Sequence, residues 1–585
     1  MLGLQYYIVN TYSNVVNKKF TRTKGRYYIH FGENEDIFNN TMVNKVEDIL
    51  ASLGDPGSYA KVIFFFVSLN YIPVAFNHLA MAVFGARTTF TCKVPEGFPA
   101  NLTISPTGEP CKIFANYSSS SNATESCSTG YDYIRHRKYM DWQLEETNIV
   151  MKWDLVCSEK YRVSLATSIY FAGVMLGGLA FGTISDRIGR KATGLICLYV
   201  PVLLGVMVFF VDNYILFVIL RFFIGFFMQG LQTASFVHFT EFFRKGTHRA
   251  YVCATMEVVW SIGVMLLAGI TFLIRDWRYI ELAICLPPLI ALPYTFFVPE
   301  SLRWLIASKR YKEADKVLRK AAEFNNITLS EDPLDLKNYN AKTEDPAEGE
   351  KHYNVLDMFK TPKLRLRTFV SFYVWMATSL IYYGLSLNAS GFAGNKYLNF
   401  FVSGAVELPA YALGIFILSR FGRRIPLCIY LLIGGVALII AGTIPKTTTS
   451  GGVITDIRWV GTMLAWIGKF SAAGCWSVLF LYGSELYPTV IRNVAVGACA
   501  FWARVGSLIA PQILLLGDYY FTELPLIVYG SVAILGGFLT LLLPETLHSK
   551  LPDTIEEAEG ITMNDKDKHA LDNSAYKPDD DNTKF

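Results

Sequence analysis

Arg504 carries the most informative chemistry in this sequence, because it is a guanidinium within a stretch of otherwise apolar residues. An ionisable side chain in such a stretch is costly in lipid and by default marks a functional cavity. A guanidinium forms paired hydrogen bonds with a carboxylate, so Arg504 predicts a site that recognises one. The alternative is a structural ion pair between helices, with Glu407 or Glu257 as the acid.

Aromatic residues in another apolar stretch offer a second kind of chemistry. Trp375 and Tyr382 are seven residues apart, which places them on one face of a helix, and Tyr383 follows directly. Aromatic faces attract quaternary ammonium groups, by up to about 2 kcal/mol when the contact is desolvated. Packing or lipid-facing rings are the alternative, because aromatic residues make up 15% of the chain. Together with Arg504, these rings predict a zwitterionic ligand.

A third group is a charged turn between two apolar stretches, Gly182-x-x-x-Asp186-Arg187-x-Gly189-Arg190-Lys191. Its glycines allow close packing and a tight turn, which the retention of positive charge alone does not need. Related acid and base sets follow two later stretches: Glu241 with Arg249, and Glu485 with Arg492. These sets predict one charged network along a single face, and an ordinary basic loop is the alternative.

The elements that must position these residues are long apolar helices. Hydrophobic residues make up 52% of the chain and charged residues only 17%. Crossing a bilayer takes about 20 mostly apolar residues in a helix, because lipid offers no partner to an unpaired backbone group. The segments that qualify are 62–84, 163–184, 193–211, 214–235, 250–274, 278–299, 366–387, 397–418, 424–443, 458–480, 494–516 and 525–543. The predicted fold class is an all-α polytopic membrane protein with twelve transmembrane helices.

Basic residues in the short loops predict the orientation, because Lys and Arg close to a span tend to stay in the cytoplasm. The basic clusters are Arg187, Arg190 and Lys191, then Arg244, Lys245 and Arg249, then Arg420, Arg423 and Arg424. We therefore expect the N-terminal segment 1–61, the loop 300–365 and the tail 544–585 in the cytoplasm. The long loop 85–160 is then outside.

The loop 85–160 has the features of an oxidising and glycosylating compartment. It contains four cysteines, Cys92, Cys111, Cys127 and Cys157. Four cysteines allow three pairings, and the sequence does not choose among them. Its glycosylation sequons are Asn101, Asn116 and Asn122. We expect a multi-pass protein of the plasma membrane.

An internal repeat relates the two halves of the chain. Pro299-Glu300-Ser301 after the sixth segment corresponds to Pro544-Glu545-Thr546 after the twelfth. The turn Ser419-Arg420-Phe421-Gly422-Arg423-Arg424 corresponds to the charged turn at Asp186, with Ser419 in the place of the acid. The repeat predicts two six-helix halves, 62–299 and 366–543, with a ligand site at mid-membrane between them.

Several stretches carry a resemblance to a known family. They are Asn77-His78-Leu79-Ala80-Met81, Lys152-Trp153-Asp154-Leu155-Val156-Cys157, Pro299-Glu300-Ser301-x-Arg303-Trp304-Leu305, Tyr383-Gly384-Leu385-Ser386-Leu387-Asn388, Glu485-Leu486-Tyr487-Pro488-Thr489-Val490-x-Arg492-Asn493 and Leu551-Pro552-Asp553-Thr554-Ile555-Glu556-Glu557. From about Met42 to Glu559 the chain resembles the organic cation, organic anion and carnitine transporters of solute carrier family 22, in the major facilitator superfamily. The resemblance implies alternating access, with the turn at Asp186 latching the two halves in the outward-open state.

The resemblance also bears on the substrate. A basic residue at Arg504 is similar to the anion and carnitine carriers, and Tyr411 resembles the carnitine type. Gln229 and Gln232 stand where cation carriers have Lys and Trp, so a cation carrier's detailed pocket does not transfer. We expect a transporter of small organic ions, zwitterions or cations of the carnitine type. An organic anion transporter and a polyspecific organic cation transporter are the alternatives.

Other classes of protein are less consistent with the sequence. It lacks a Walker loop, a metal-spaced His/Cys cluster and a nucleophile elbow. Its net charge of +4 is too small to indicate nucleic-acid binding. We therefore predict no enzymatic activity, cofactor or metal. A channel, and a receptor or scaffold without transport, are the alternatives of a different class.

The chain ends in Thr583-Lys584-Phe585, which fits the pattern by which a free C-terminus adds as a strand to a PDZ groove. The alternative is the incidental end of an acidic tail.

Overall fold

The computed structural model describes most of the apolar part of the chain. The described residues are 22–23, 26–27, 57–93, 111–114, 124–127, 130–134, 145–243, 247–291, 294–327, 354–445, 447–450, 453–547, 552 and 554–559. Within these ranges, 10 helices are long and apolar enough to cross a membrane. The predicted glycosylation sites at Asn101, Asn116 and Asn122 and the C-terminal Phe585 lie outside the described residues.

The helices before residue 328 are α1 (Ser58–Ser68), α2 (Tyr71–Phe84), α3 (Ile149–Lys152), α4 (Tyr161–Ile188), α5 (Arg190–Phe209), α6 (Tyr214–Thr240), α7 (Thr247–Ile274), α8 (Trp277–Cys285), α9 (Tyr294–Phe297), α10 (Leu302–Ala307) and α11 (Tyr311–Phe324). Those after residue 353 are α12 (Pro362–Leu387), α13 (Lys396–Ala405), α14 (Glu407–Arg420), α15 (Arg424–Thr443), α16 (Arg458–Glu485), α17 (Arg492–Tyr519), α18 (Leu524–Thr540) and α19 (Ile555–Glu559). We call the elements up to α11 the first half and those from α12 the second half.

The predicted sixth segment, 278–299, is not one continuous helix. It consists of α8, a 3₁₀ turn at Pro287–Ala291 and the short α9. Two prolines open the 3₁₀ turn, and each lacks the N–H that an α-helix needs. The predicted eighth segment is also divided, at Val406 between α13 and α14. Pro409 follows in the first turn of α14, where a proline is tolerated at a helix start.

Short antiparallel strand pairs complete the described fold. The pairs are β1 (Arg22–Thr23) with β2 (Arg26–Tyr27), β3 (Phe90–Cys92) with β6 (Tyr131–Tyr133), β4 (Lys112–Phe114) with β5 (Thr124–Ser126), and β7 (Thr447–Ser450) with β8 (Val453–Asp456). The structure selects one of the three possible disulfide pairings, Cys92 with Cys127 and Cys111 with Cys157. The two bridges connect β3 and β4 to later parts of the same loop.

Helix packing within the first half depends on glycines. A Cβ at Gly173 or Gly177 of α4 would lie 2.1 Å from a backbone oxygen of α6, so only glycine permits this approach. The two halves meet where α4 packs against α17 and α7 against α13. At the first of these contacts Ser168 donates a hydrogen bond of 2.8 Å to the carbonyl oxygen of Leu508. Residues of both halves therefore share one continuous interior.

Candidate substrate site between the two halves

Arg504 joins the two halves at the middle of the bundle. It lies near the centre of the 28-residue helix α17. Its Nη1 donates to the hydroxyl of Tyr383 on α12 at 3.3 Å, and its Nη2 donates to Oε1 of Gln232 on α6 at 3.2 Å. Both partners are neutral groups, so neither neutralises the guanidinium. This geometry leaves the charge of Arg504 available to a carboxylate.

Glu407 is the centre of a second polar cluster. Its side chain is completely buried at the start of α14, and it forms an ion pair of 2.9 Å with Lys469 of α16. Tyr382 donates a hydrogen bond of 2.8 Å to Glu407 Oε1. Ser261, from α7 in the first half, donates one of 3.1 Å to Oε2. Of the two acids that the sequence allows as partners of Arg504, Glu407 is thus paired with a lysine, and Glu257 hydrogen-bonds Tyr411.

Lys469 also occupies the aromatic face that the sequence predicts for an ammonium group. Its Nζ lies 3.2 Å from the centroid of the Tyr382 ring, and it donates to the hydroxyl of Ser386. The Tyr382 hydroxyl accepts a hydrogen bond of 2.7 Å from Trp260 Nε1, across the interface between the halves. An ammonium of the protein itself therefore fills this cation-binding position.

The structure divides the predicted aromatic group. Trp375 shares a helical face with Tyr382, as its spacing predicts, and that face packs against α16. The Trp375 ring contacts Trp476 and Phe480, with ring centroids 5.8 and 5.1 Å away. Tyr383 points elsewhere, to Arg504 and to Phe171 of the first half, whose ring centroid is 4.9 Å away. Trp375 therefore packs in the second half, and Tyr383 lies at the interface.

The remaining predicted ligand residues are Tyr411, Gln229 and Gln232, and each has different hydrogen-bond partners. Tyr411 lies in the acid cluster, where its hydroxyl donates to Glu407 Oε2 at 3.4 Å and its side chain hydrogen-bonds Glu257. Gln229 is buried on α6 and donates to Thr233 of the same helix at 3.2 Å. Of the two predicted glutamines, the structure brings Gln232 to Arg504.

His78 is a residue of the interface that sequence reasoning quoted only as part of a motif. Its Nδ1 lies 3.0 Å from the carbonyl oxygen of Val74, which can only accept, so Nδ1 carries the proton. Its ring packs edge-on against Trp260, with a centroid distance of 5.5 Å, and lies 6.3 Å from the Tyr383 ring. The imidazole thus adds to the aromatic wall around Tyr383.

A fully buried ion pair in the first half was missed by sequence reasoning. Arg221 of α6 and Glu281 of α8 are 3.3 Å apart, and both side chains are 0% exposed. Arg221 also donates to the carbonyl oxygen of Asn77 at 3.1 Å and lies over the Tyr170 ring at 4.9 Å. The signal was present, because both residues are ionisable and fall within predicted membrane segments.

The charged turn of the first half forms a network around Arg190. Its guanidinium pairs with Asp186 at 2.8 Å and with Glu241 at 3.0 Å. Glu300 accepts hydrogen bonds of 2.9 and 3.0 Å from the backbone N–H groups of Arg190 and Lys191. These contacts all join residues of the first half. The predicted latch from Asp186 to the second half stays a prediction for another conformation.

The second half repeats this network with one substitution. Arg423 pairs with Glu485 at 2.9 Å, and Glu545 accepts from the backbone N–H of Arg423 at 2.9 Å. Gly189 and Gly422 precede the two arginines, with φ of +103° and +83°. Ser419 stands where the first half has Asp186. The face that carries both turns is called the motif face below.

The structure describes the other predicted network residues to different extents. Arg187 is exposed at the end of α4. Arg492 donates to the hydroxyl of Thr489 at 3.2 Å, at the start of α17. Arg249 lies on α7, and its side chain is outside the described part of the structure.

The two equivalent glutamates of the motif face differ in their electrostatics. Burial raises the pKa of Glu300 above its usual range, although backbone N–H groups act in the opposite direction. Burial also acts to raise the pKa of Glu545, but its hydrogen bonds from four backbone N–H groups outweigh that effect and lower it. The two equivalent positions therefore differ: the second half favours the ionised form of its glutamate, and the first half favours the protonated form.

Comparison with known proteins defines the class. The family model "Sugar (and other) transporter" matches residues 108–557. The solved structure "Partially occluded inward open conformation of the xylose transporter XylE from E. coli" covers 84% of this chain and 100% of its own, with a TM-score of 0.55 and 16% identity. At this identity the likeness concerns the fold. The chain is a membrane transporter with the major facilitator fold.

Curated relatives define the family within that class. "Organic cation transporter protein" of Drosophila melanogaster is 34% identical, over 88% of this chain and 94% of the relative. "Organic cation/carnitine transporter 2" of Homo sapiens is 30% identical, over 87% and 93%. "Solute carrier family 22 member 6-B" of Xenopus laevis is 32% identical, over 89% and 96%. The chain belongs to solute carrier family 22, and it transports small organic ions.

Proposed function

We propose that the substrate is a short zwitterion of the carnitine type, with a carboxylate and an ammonium group. The supporting observation is a pair of consecutive tyrosines on α12. Tyr383 accepts a hydrogen bond from Arg504, and Tyr382 donates one to Glu407. Their ring centroids are 5.3 Å apart. One element thus holds a cationic and an anionic group side by side, as the two poles of a small zwitterion require.

Arg504 is the proposed carboxylate ligand. Its hydrogen bonds go to a hydroxyl and an amide, which a substrate carboxylate replaces with gain because bonds between two ionised groups are stronger. Since Gln232 belongs to the first half and Arg504 to the second, a carboxylate bound here contacts both. A substrate bound at this point would therefore affect how the two halves move relative to each other.

The ammonium end is assigned to the cluster of Glu407, Tyr382 and Tyr411. In this structure Lys469 contacts both the Tyr382 ring and the Glu407 carboxylate. A substrate ammonium would share or take over the contacts with the Tyr382 ring and the Glu407 carboxylate. The name of the human relative, an organic cation/carnitine transporter, agrees with this assignment.

A permanent organic cation is the second candidate substrate. The buried acid Glu407 and the partly buried acid Glu257 are joined through the hydroxyl of Tyr411. Such a pair favours a cation, and the Drosophila relative is named an organic cation transporter. Arg504 weighs against this candidate, because it is a cation with no acid among its hydrogen-bond partners.

Uptake in expressing cells separates the candidates. Labelled carnitine, tetraethylammonium and p-aminohippurate are offered with and without sodium, to the parent chain and to Arg504→Ala and Arg504→Lys. We expect carnitine uptake by the parent and its loss in Arg504→Ala, with partial retention in Arg504→Lys. Transport of the cation alone overturns the zwitterion. Equal loss of all substrates, at normal surface abundance, assigns Arg504 a structural role.

We further propose that both termini are cytoplasmic and that the disulfide-bonded loop faces outward at the plasma membrane. The basic turns of the motif face and the two disulfides support this orientation. Removal of N-linked glycans should shift the mobility of the protein, and a triple Asn→Gln variant at 101, 116 and 122 should not shift. Epitope tags at the termini should be detected only after permeabilisation.

A PDZ-domain partner at Phe585 completes the proposal. The last residues, Thr583-Lys584-Phe585, have the required pattern of a hydroxyl, any residue and a terminal apolar residue. A C-terminal peptide should bind PDZ domains, and the same peptide with Phe585→Ala should not. Equal binding of both peptides contradicts this partner.

A further inference from the structure

The face opposite the motif face carries two ion pairs that join the halves. We call it the disulfide face, because the bridged loop lies there. Glu146, at the end of that loop, pairs with Lys396 at the start of α13. Arg87, after α2, pairs with Asp518 near the end of α17 at 2.8 Å. Each pair has one member in each half.

Glu146 is fixed to the first half by the residues that follow it. Thr147 donates a hydrogen bond of 2.6 Å to Asp276 and one of 3.3 Å from its backbone N–H to the carbonyl oxygen of Arg275. Asn148 donates to Thr88 at 2.7 Å and to the carbonyl oxygen of Ala86 at 3.3 Å. The loop segment therefore moves with α2 and α8 and carries its carboxylate to the second half.

Lys396 needs an anionic partner where it stands. It is the first residue of α13, and Asn395 caps that helix by accepting from the N–H groups of Tyr397 and Leu398. A positive charge at a helix N-terminus opposes the helix dipole. Glu146 supplies the compensating charge, and its side chain is only 8% exposed. The pair is thus partly shielded from solvent, and less weakened by it than an exposed pair.

The space beneath this pair is too small for an organic ion. A cavity of about 30 Å³ lies between the halves, which is room for about two water molecules. Among its lining residues are Ala82, Thr271, Arg275, Ser390, Lys396 and Tyr397. The Tyr397 ring of the second half packs on Phe272, at 5.6 Å, and lies 5.5 Å from the Arg275 guanidinium. Within the described part of the chain, these contacts leave the disulfide face closed to a substrate.

We propose that Glu146 with Lys396, and Arg87 with Asp518, form a gate that closes the disulfide face and opens once in each transport cycle. Alternating access requires that contacts between the halves at one face break when that face opens. The proposed gate makes the segment 146–148, at the end of the loop, a moving part of the mechanism. It does not depend on which organic ion is carried.

The contacts of Glu146 make such opening inexpensive. Its Oε2 is buried and has no hydrogen-bond partner among the described residues. When the halves separate, water reaches this oxygen and supplies the bonds that the closed state withholds. Arg87 and Asp518 are 43% and 29% exposed, and solvent weakens the attraction within such a pair. The two ion pairs therefore stabilise the closed state only weakly, so they can break when the halves separate.

Accessibility of the cavity tests the gate directly. Thr271 lines the cavity and is 1% exposed. A Thr271→Cys variant is labelled with a membrane-impermeant maleimide on intact cells, in the background of Glu146→Gln, Lys396→Met, or the swap Glu146→Lys with Lys396→Glu. The chain without the added cysteine sets the background. Glu313→Gln, which removes an exposed pair with Arg310 at the start of α11, is the matched control.

We expect slow labelling of Thr271→Cys alone and in the Glu313→Gln control. Glu146→Gln and Lys396→Met should each label about threefold to tenfold faster, since a closed state with one contact fewer is less populated. The charge swap should return labelling toward the slow rate. Surface biotinylation confirms that each variant is folded and delivered.

Two results overturn the gate. One is an unchanged labelling rate in both single variants, and the other is a swap that labels as fast as they do. Labelling that appears only in permeabilised cells, with the same dependence on Glu146 and Lys396, supports the gate and contradicts the proposed orientation. The gate and the orientation therefore fail in distinguishable ways.

Discussion

Lys469 places its ammonium nitrogen 3.2 Å from the centre of the Tyr382 ring and 2.9 Å from Oε1 of Glu407. These two groups, an aromatic face and a carboxylate, are the partners that an organic ammonium seeks. In this structure Lys469 occupies both contacts of the proposed ammonium site. If the proposed function is right, a substrate ammonium competes with Lys469 for them.

Lys469→Met tests this competition. Removing the ammonium leaves the Tyr382 ring and Glu407 to the substrate, so we expect the KM for carnitine to fall by about fivefold or more, since even an exposed cation–π contact contributes up to about 1 kcal/mol. Lys469→Arg should behave like the parent. Lys360→Met, which removes an exposed lysine from its ion pair with the buried Asp357, is the control. A KM that does not change, measured on protein that reaches the surface, refutes the competition.

Arg221 and Glu281 should behave as a unit in stability. Either single change, Arg221→Met or Glu281→Leu, leaves one buried charge without its counter-ion and should cost about 3 to 5 kcal/mol. The double variant buries no charge at this position and should recover most of that loss. Thermal unfolding of the detergent-solubilised proteins measures the three effects. A double variant that loses the sum of both single losses contradicts the prediction.

Gly189 should tolerate no side chain. Its φ is +103°, and an added Cβ would lie 2.2 Å from Oε2 of Glu300. With ψ at 159°, this backbone conformation is one that essentially only glycine adopts, and it costs another residue about 1 to 3 kcal/mol. The displaced carboxylate adds to this loss. Gly189→Ala should therefore lower the unfolding temperature.

Gly194→Ala is the matched control for that change. Gly194 lies five residues further along in α5, and an added Cβ would meet nothing within 4 Å. Alanine in a helix is favoured over glycine by about 1 kcal/mol, so this variant should be neutral or more stable. Equal losses in the two variants would contradict the role assigned to the turn.

Glu300 and Glu545 should show opposite dependence on pH. The lowered pKa of Glu545 contributes stability above the pKa of the unfolded chain, and this contribution is lost as the pH falls through the folded value. The raised pKa of Glu300 contributes stability below the unfolded pKa, and this is lost as the pH rises through the folded value. The two contributions have opposite signs because protonation favours folding at Glu300 and opposes it at Glu545.

Unfolding temperatures between about pH 4 and about pH 7 test this contrast. Glu545→Gln should be less stable than the parent near neutral pH, and the difference should shrink on acidification. Glu300→Gln should match or exceed the parent near neutral pH, and lose that advantage at acidic pH. Glu313→Gln, at an exposed site, serves as the control. The same sign for both glutamates refutes the prediction.

The sequence was sufficient to locate the two turns of the motif face and to single out Arg504 as a charged residue in an apolar segment. The two turns sit at fixed positions relative to apolar segments, and the corresponding glutamates recur at equal positions in the two halves. The structure has a network at each turn, but Arg190 pairs with Glu241 and Arg423 with Glu485, whereas the sequence grouped Glu241 with Arg249 and Glu485 with Arg492. Local sequence patterns identify the turns, because each turn consists of a few consecutive residues, but they do not decide which arginine meets which glutamate.

The same reasoning was incomplete for the buried charges. Arg504 was recognised as an ionisable residue in an apolar segment, whereas Arg221, Glu281 and Lys469 satisfy that criterion equally and were passed over. The rule that an ionisable residue in an apolar segment is significant was applied to Arg504 but not to every segment. No further information was needed to apply it to the others. Applied to every span, it identifies both buried ion pairs as candidates, though not which base meets which acid.

By itself, the sequence determined the apolar segments, their repeat in two halves, the four cysteines of one loop and the presence of Arg504. These follow from hydrophobicity and spacing, which are local properties. Only the tertiary structure decided that Glu407 pairs with Lys469, that Tyr383 and not Trp375 meets Arg504, and that the disulfide face is closed. Those facts depend on how each helix is rotated and on contacts between residues far apart in the chain, which packing of the whole bundle sets.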